Sequence, residues 1–311
     1  MIHILGAGAM GCLWAAHLSH SNTVRFVSSR KQNSSQCSQN TSKQFSLARP
    51  YENNSSQYNI PILTTDELSK PIDTLLVCTK SYDALSALKT LKPKLSKQTK
   101  VILFQNGLGS QFDVLKSFPN NAIFAAVSTE GANRKSDTEV IHAGFGCTQL
   151  GILHTPKHKQ SSSPNALEAC YQLLSSSSLS IQKHKDIWQA LWTKLIINCA
   201  INPFTALLNC SNGEIRQHSF FQTNWSPLKK ELVSLMAISG NPLNEQAVEK
   251  LVFEVMDKTQ DNISSMLQDV RNNKPTEIDH INGFAYHYLE KNQLSNTTNK
   301  KLWESVNALG S

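Results

Sequence analysis

The chain has 311 residues, enough for two domains that each bury a core, with 40% hydrophobic and 17% charged residues. This describes a soluble globular protein, and no apolar run reaches the roughly 18 residues a membrane-spanning helix needs. The formal charge is +7, but it is scattered, with no arginine-rich run; it suits a phosphorylated cofactor and a carboxylate substrate better than nucleic acid. Seven cysteines at irregular spacings show no zinc-ligand pattern, so no metal is expected and the thiols read as reduced. Met1–Leu18 is apolar but lacks a basic leader, and glycines interrupt it. It reads as folded structure rather than a signal peptide, which predicts a cytoplasmic protein.

In chain order, Ile2–Leu5 is a strand, followed by glycines and a helical pattern through Leu13, Ala16 and Leu18. Val24–Val27 is the next strand. Lys31–Asn59, rich in Ser, Asn and Gln, predicts loops or short edge strands, and the serine clusters at 161–163 and 175–178 predict loops. Thr74–Cys78 is a buried strand and Tyr82–Leu91 a helix; Val101–Phe104 and Ala122–Val127 are further strands. Continuous apolar strands alternating with helices indicate a mostly parallel sheet covered on both faces.

From Asp186 long helical patterns take over: Asp186–Ile201, Pro227–Ser239, Asn244–Asp261, Glu277–Asn292 and Asn299–Leu309. The expected organisation is α/β: an N-terminal Rossmann-type dinucleotide-binding domain over residues 1–185, then an all-helical C-terminal domain over residues 186–311. Pro203 should end or kink the first of these helices.

Gly6-Ala7-Gly8-Ala9-Met10-Gly11 follows a strand and opens a helix. In such a turn the first glycine makes the bend and the second admits the pyrophosphate. The third lets helix and strand pack closely, while the helix N-terminus offers N–H groups to the phosphates. NAD enzymes usually carry an acid at the end of the second strand. Here that strand reads VRFVSSR, with no acidic residue between Gly11 and Glu52. Arg30 can bind a 2′-phosphate with a planar fork of donors, which points to NADPH. Lys80 stands at the carboxyl end of the next strand, able to meet phosphate or substrate, or simply solvent. Asn106 could bond the nicotinamide side of the cofactor, or only form the turn that Asn-Gly favours.

Lys194, Asn198 and Asn202 fall at i, i+4 and i+8, so an ammonium and two amides share one face of an apolar helix. Such a row favours a site over a merely structural face. In DNISSMLQDVRNNKPTEIDHINGF, Asn262, Ser264 and Ser265 precede a short helix, and Glu277 and Asp279 open the next one. Spacing alone would explain Glu277 as an acid at the positive end of a helix.

With GAGAMG, QNG, KLIINCAINPFTALLNCSNGE and SSMLQDVRNNKPTEIDHINGF in place, the chain resembles the ketopantoate reductase (2-dehydropantoate 2-reductase) family nearly end to end. The resemblance implies NADPH-dependent reduction of 2-dehydropantoate to pantoate, in pantothenate and coenzyme A synthesis. It implies cofactor contacts by Gly6 to Gly11, Arg30, Lys80, Asn106 and Gly131. It makes Lys194 the catalytic lysine, and Glu277 an active-site acid touching the cofactor ribose and organising that lysine. Asn198, Asn202, Asn212 and Ser265 would hold the substrate, with Asn262 near that pocket. Residues 31–59 match no part of the family pattern. A related reductase of another small keto or imine acid is the competing enzyme reading. An NADP-binding regulator without catalysis is disfavoured by the presence of Lys194 and Glu277. No nucleic-acid or membrane partner is expected, and the sequence leaves a homodimer open.

Overall fold

The structure, a computed structural model, describes residues 1–28, 41–49, 55–154 and 164–310. The chain divides into two compact units, one formed by Met1–Gln105 with Ser110–Ile187, the other by Asn106–Gly109 with Trp188–Ser311.

The first unit is built on strands β1 (Ile2–Leu5), β2 (Val24–Ser28), β3 (Ser42–Ala48), β4 (Ser55–Thr64), β5 (Ile72–Val77), β6 (Leu95–Leu103), β7 (Ala122–Ser128), β8 (Gly131–Arg134), β9 (Glu139–Gly144), β10 (Thr148–Ile152) and β11 (Ile181–Lys183). Its helices are α1 (Ala9–Ser19), α2 (Ser81–Leu91), α3 (Ser110–Ser117) and α4 (Pro164–Ser175). The strand order is β11-β10-β7-β6-β5-β1-β2-β4-β3-β9-β8. The run from β7 to β4 is parallel throughout. These central strands read as unbroken apolar text because both faces are covered: every residue of β1 is buried, and β5 is buried from Thr74 onward. Helix α1 is apolar all round for the same reason, since it touches β1 and β2 and also β8 and β9.

β1 lies between β5 and β2, so successive connections leave it in opposite directions along the sheet. The carboxyl end of β1 is therefore the topological switch point, where open α/β sheets bind ligands.

The serine- and asparagine-rich stretch departs from expectation. Its described parts, β3 and β4, form an antiparallel hairpin inside the sheet, with β4 parallel to β2 and β3 parallel to β9. Phe45, Leu47 and Ile60 are buried while their neighbours Gln44 and Asn59 are exposed. One apolar residue in two suffices for a strand with one covered face, and that thin pattern is lost in a polar composition.

The second unit contains α5 (Ile187–Leu208), α6 (Ser219–Ile238), α7 (Glu245–Lys258), α8 (Ser265–Arg271), α9 (Asn282–Lys291) and α10 (Thr297–Asn307). An aromatic cluster fills its core: Phe204 meets Phe221 at 5.0 Å between ring centroids, and Phe221 stacks on Trp225 at 5.4 Å. Among the described residues α5 is the one helix long and apolar enough to cross a membrane, but Leu195, Ile196, Cys199, Ala200 and Phe204 are buried, as in a core helix.

Two local expectations are corrected here. Pro203 does not end α5, which runs on to Leu208. The helix stops at Asn209, whose φ of 50° is left-handed, and Cys210 N–H donates back to the Thr205 carbonyl at 3.3 Å. The helix expected from Glu277 to Asn292 is a 3-10 turn, Ile278–His280, followed by α9. Leu108 N–H donates to the His280 carbonyl at 2.8 Å, taking that acceptor out of the helical ladder. Glu277 thus stands ahead of the helix rather than in its first turn.

Phe204 is fully buried and Phe145 is 72% exposed. Phe204→Ala should cost roughly 3–5 kcal/mol in denaturant unfolding, whereas Phe145→Ala should stay within about 0.5 kcal/mol.

Candidate active site

In the first unit the turn from β1 to α1 is shaped by what cannot fit. Gly6 has φ 105°, and a Cβ there would lie 2.7 Å from Thr79 N. A Cβ on Gly11 would lie 1.9 Å from the Gly6 carbonyl oxygen, so helix and turn touch through backbone alone. Gly8 differs: a Cβ there meets nothing within 4 Å. Gly8 is also the residue before α1, no side chain caps that helix, and no acid stands in its first turn. Bare N–H groups facing open space at a helix N-terminus suit a phosphate diester. On these observations Gly6, Ala7, Gly8, Ala9, Met10 and Gly11 fit a dinucleotide pyrophosphate.

Gln105, which sequence reasoning passed over, braces the neighbouring strand ends. Its Nε2 donates to the carbonyls of Val77 (2.9 Å) and Thr79 (3.1 Å), tying the end of β6 to that of β5. Lys80 follows directly, half-buried, at the position preceding α2. Gly131 opens β8 opposite Gly144, where a Cβ would come within 2.9 Å of Gly144 N. Arg30 lies outside the described residues.

The second unit gathers most of the remaining candidates. Lys194, Asn198 and Asn202 all lie within unbroken α5, one turn apart. Asn202 is buried, and its carbonyl accepts from Thr205 Oγ1 at 2.8 Å. Thr205 Oγ1 is also 2.6 Å from Ser264 Oγ, which makes Ser264 the donor of that pair. Ser264 caps α8 by accepting from Leu267 N–H at 3.1 Å. It is therefore a brace between α5 and α8, while Ser265 beside it is exposed. Asn212 N–H donates to the Asn262 carbonyl at 3.0 Å and its Nδ2 to Thr259 Oγ1 at 2.9 Å. Its Oδ1 is buried with no partner among the described residues, an acceptor left for something else. Asn262 itself is exposed.

Asn106 and Glu277 meet directly: Asn106 Nδ2 donates to Glu277 Oε2 at 3.3 Å. The approach is close because Gly107, at φ 73°, leaves no room for a Cβ, which would lie 2.2 Å from the His280 carbonyl oxygen. Glu277 is only 5% exposed. Burial pulls the Lys194 ammonium down to about 8, and the negative charge of Glu277 acts the other way. Lysine, acid and amide thus form one electrostatic group. It holds an ammonium whose proton is released at about pH 8, on a helix that also carries two amides.

Residues 2–155 match the family model described as ketopantoate reductase PanE/ApbA, and residues 186–310 match its C-terminal counterpart. The chain belongs to the ketopantoate reductase family. It is accordingly an oxidoreductase. A 2-dehydropantoate 2-reductase of Vibrio cholerae is 30% identical, covering 99% of this chain and 97% of its own. A solved structure of a probable 2-dehydropantoate 2-reductase from Bacillus subtilis superposes with a TM-score of 0.79 at 28% identity, over 99% of both chains. A D-mandelate dehydrogenase solved with NADH and anilino(oxo)acetate reaches 0.82 at 21% identity, over 100% of this chain and 98% of its own, a likeness of fold.

The glycine geometry separates fit from folding. Gly8→Ala should leave the thermal midpoint within about 1 °C yet weaken dinucleotide binding by about tenfold or more, read by protein fluorescence titration. Gly11→Ala should instead destabilise the free protein by roughly 1–3 kcal/mol or more.

Proposed function

We propose that this chain is a 2-dehydropantoate 2-reductase that uses NADPH to reduce the C2 ketone of ketopantoate to pantoate, in the synthesis of pantothenate and coenzyme A. The observation that carries this reading is the half-buried Lys194 ammonium on α5, held at about 8 between desolvation and the charge of Glu277. The sequence supports NADPH over NADH through Arg30 and the missing acid after β2.

The two units divide the work. The glycine loop, with Lys80 and Gly131, holds the dinucleotide, and Asn106 and Glu277 serve its nicotinamide and ribose end. Bound there, the reduced nicotinamide supplies the hydride. The α5 row serves the substrate: Asn198 and Asn202 orient it without a charge that would repel its carboxylate, and Asn212 and Ser265 offer further polar contacts, with Asn262 nearby. As C2 is reduced, negative charge builds on its oxygen. Lys194 stabilises that charge and donates its Nζ proton to the oxygen, giving the alcohol and leaving a neutral amine. Burial favours the neutral product form, while Glu277 keeps the ammonium charged beforehand. Neither task alone would place the lysine near 8.

The direct test is oxidation of NADPH with ketopantoate as the added keto acid. Comparable turnover of several unrelated 2-keto acids would overturn the narrow assignment. Lys194→Ala should lower kcat by roughly 10²–10⁴-fold with NADPH affinity nearly unchanged; turnover like that of the wild type would remove the lysine from the mechanism. Reduction needs the ammonium, so its rate should hold below pH about 8 and fall as pH rises through it, whereas pantoate oxidation should rise over the same interval. Arg30→Asp should weaken NADPH far more than NADH, and an unchanged preference would count against the NADPH assignment.

A further inference from the structure

Helix α5 contains a gap in its own ladder. Residue 203 should donate its N–H to the carbonyl of Cys199, and Pro203 has no N–H to give. Cys199 is fully buried, so water does not reach that carbonyl. Pro227 in α6 sets the same problem in a different place. There the carbonyl that loses its donor belongs to Thr223, and both residues are exposed. Solvent serves one helix; the other needs a donor from the protein.

Asn282 is that donor. Its Nδ2 gives one hydrogen to Cys199 O at 3.2 Å and the other to Asn299 Oδ1 at 3.0 Å, and the residue is fully buried. Asn299 is held in turn by Glu231: its backbone N–H and its Nδ2 both donate to Glu231 Oε2, at 2.9 and 2.8 Å. Glu231 Oε1 accepts from Thr298 N–H at 2.8 Å. The amide is thus oriented by a buried chain of bonds from α6 through α10 to α9.

The two ends of the Asn282–Cys199 bond are close in sequence to the groups assigned to the reaction. Cys199 is five residues after Lys194 on α5, and Asn282 opens α9 five residues after Glu277. We propose that Asn282 is a positioning residue for catalysis: it replaces the donor that Pro203 removes and, by the same bond, fixes the segment carrying Glu277 to the helix carrying Lys194. A helix without the proline would offer α9 no unmet carbonyl in its core; the proline creates a single socket, and so a single register. The inference rests on the roles given above to Lys194 and Glu277.

The test is a cycle of Pro203→Ala, Asn282→Ala and the double variant, measured as intact protein by thermal unfolding and by steady-state NADPH oxidation with ketopantoate. Asn282→Ala should lower the thermal midpoint by about 3–6 °C. The double variant should regain most of this, because alanine at 203 restores the donor. Turnover should behave differently. In Asn282→Ala kcat should drop about tenfold or more, with KM for NADPH within about twofold. The alkaline limb of the pH profile should move to lower pH, since Glu277 is the charge that holds the Lys194 proton on. Neither kinetic change should recover in the double variant, whose repaired helix lacks the hydrogen bond that sets the register of α9.

Two results would overturn the proposal. One is equal loss of midpoint in the single and double variants; the other is recovery of kcat and of the pH limb together with the midpoint. If Asn282→Ala does not fold, the double variant compared with Pro203→Ala carries the kinetic test. The stability cycle involves no turnover, so failure of the chemical reading would show in Lys194→Ala while leaving that cycle intact.

Discussion

A partly desolvated ammonium is the constraint that organises the helical unit. Lys194 sits on a helix whose other residues are mostly apolar, and burial drives it toward its neutral form. A carboxylate is needed to oppose that drive, and a carboxylate buried for this purpose must itself be held. Glu277 is held by Asn106, and the chain around it is bent into a 3-10 turn because the His280 carbonyl is taken by Leu108. The polar chain through Asn282, Asn299 and Glu231 extends the same requirement into the core. Each buried polar group obliges another, and the series ends only where a helix terminus, that of α10, absorbs the last carboxylate.

The nucleotide unit answers a different demand, that backbone rather than side chain should come close. Gly6 and Gly11 allow β1 and α1 to touch, and Gly8 leaves the helix end open. The apolar strands behind them supply rigidity, and Gln105 ties the ends of β5 and β6 together beside β1. One unit is therefore shaped by excluded side chains and the other by buried polar ones.

Much of this was legible in the sequence because it is local. The glycine spacing, the apolar central strands and the i, i+4, i+8 row of Lys194, Asn198 and Asn202 all declare themselves within a single loop, strand or helix. The parts that were missed depend on partners far along the chain. β3 and β4 are too polar to stand out, and it is β2 and β9 that make them interior strands. Pro203 reads as a helix breaker until Asn282 is brought to it. Ser264 and Ser265 are chemically alike, and only the distance to Thr205 separates brace from exposed neighbour. Glu277 looked like ordinary helix-start electrostatics because nothing nearby in sequence foretells Asn106.

The tetrapeptide Asn106–Gly109 has a consequence for how such proteins can be recombined. It emerges between strand β6 and helix α3 of the nucleotide unit yet belongs by contact to the helical one, so the backbone passes between the two units three times. The stretches that match the two family models, 2–155 and 186–310, leave this segment on the nucleotide side. A chimera joined at the obvious boundary would receive a helical half from one parent and the partners of its Glu277 and His280 from the other. Inheritance of these two modules is thus linked through four residues, and a transplant respects the fold only if that short loop travels with the helices.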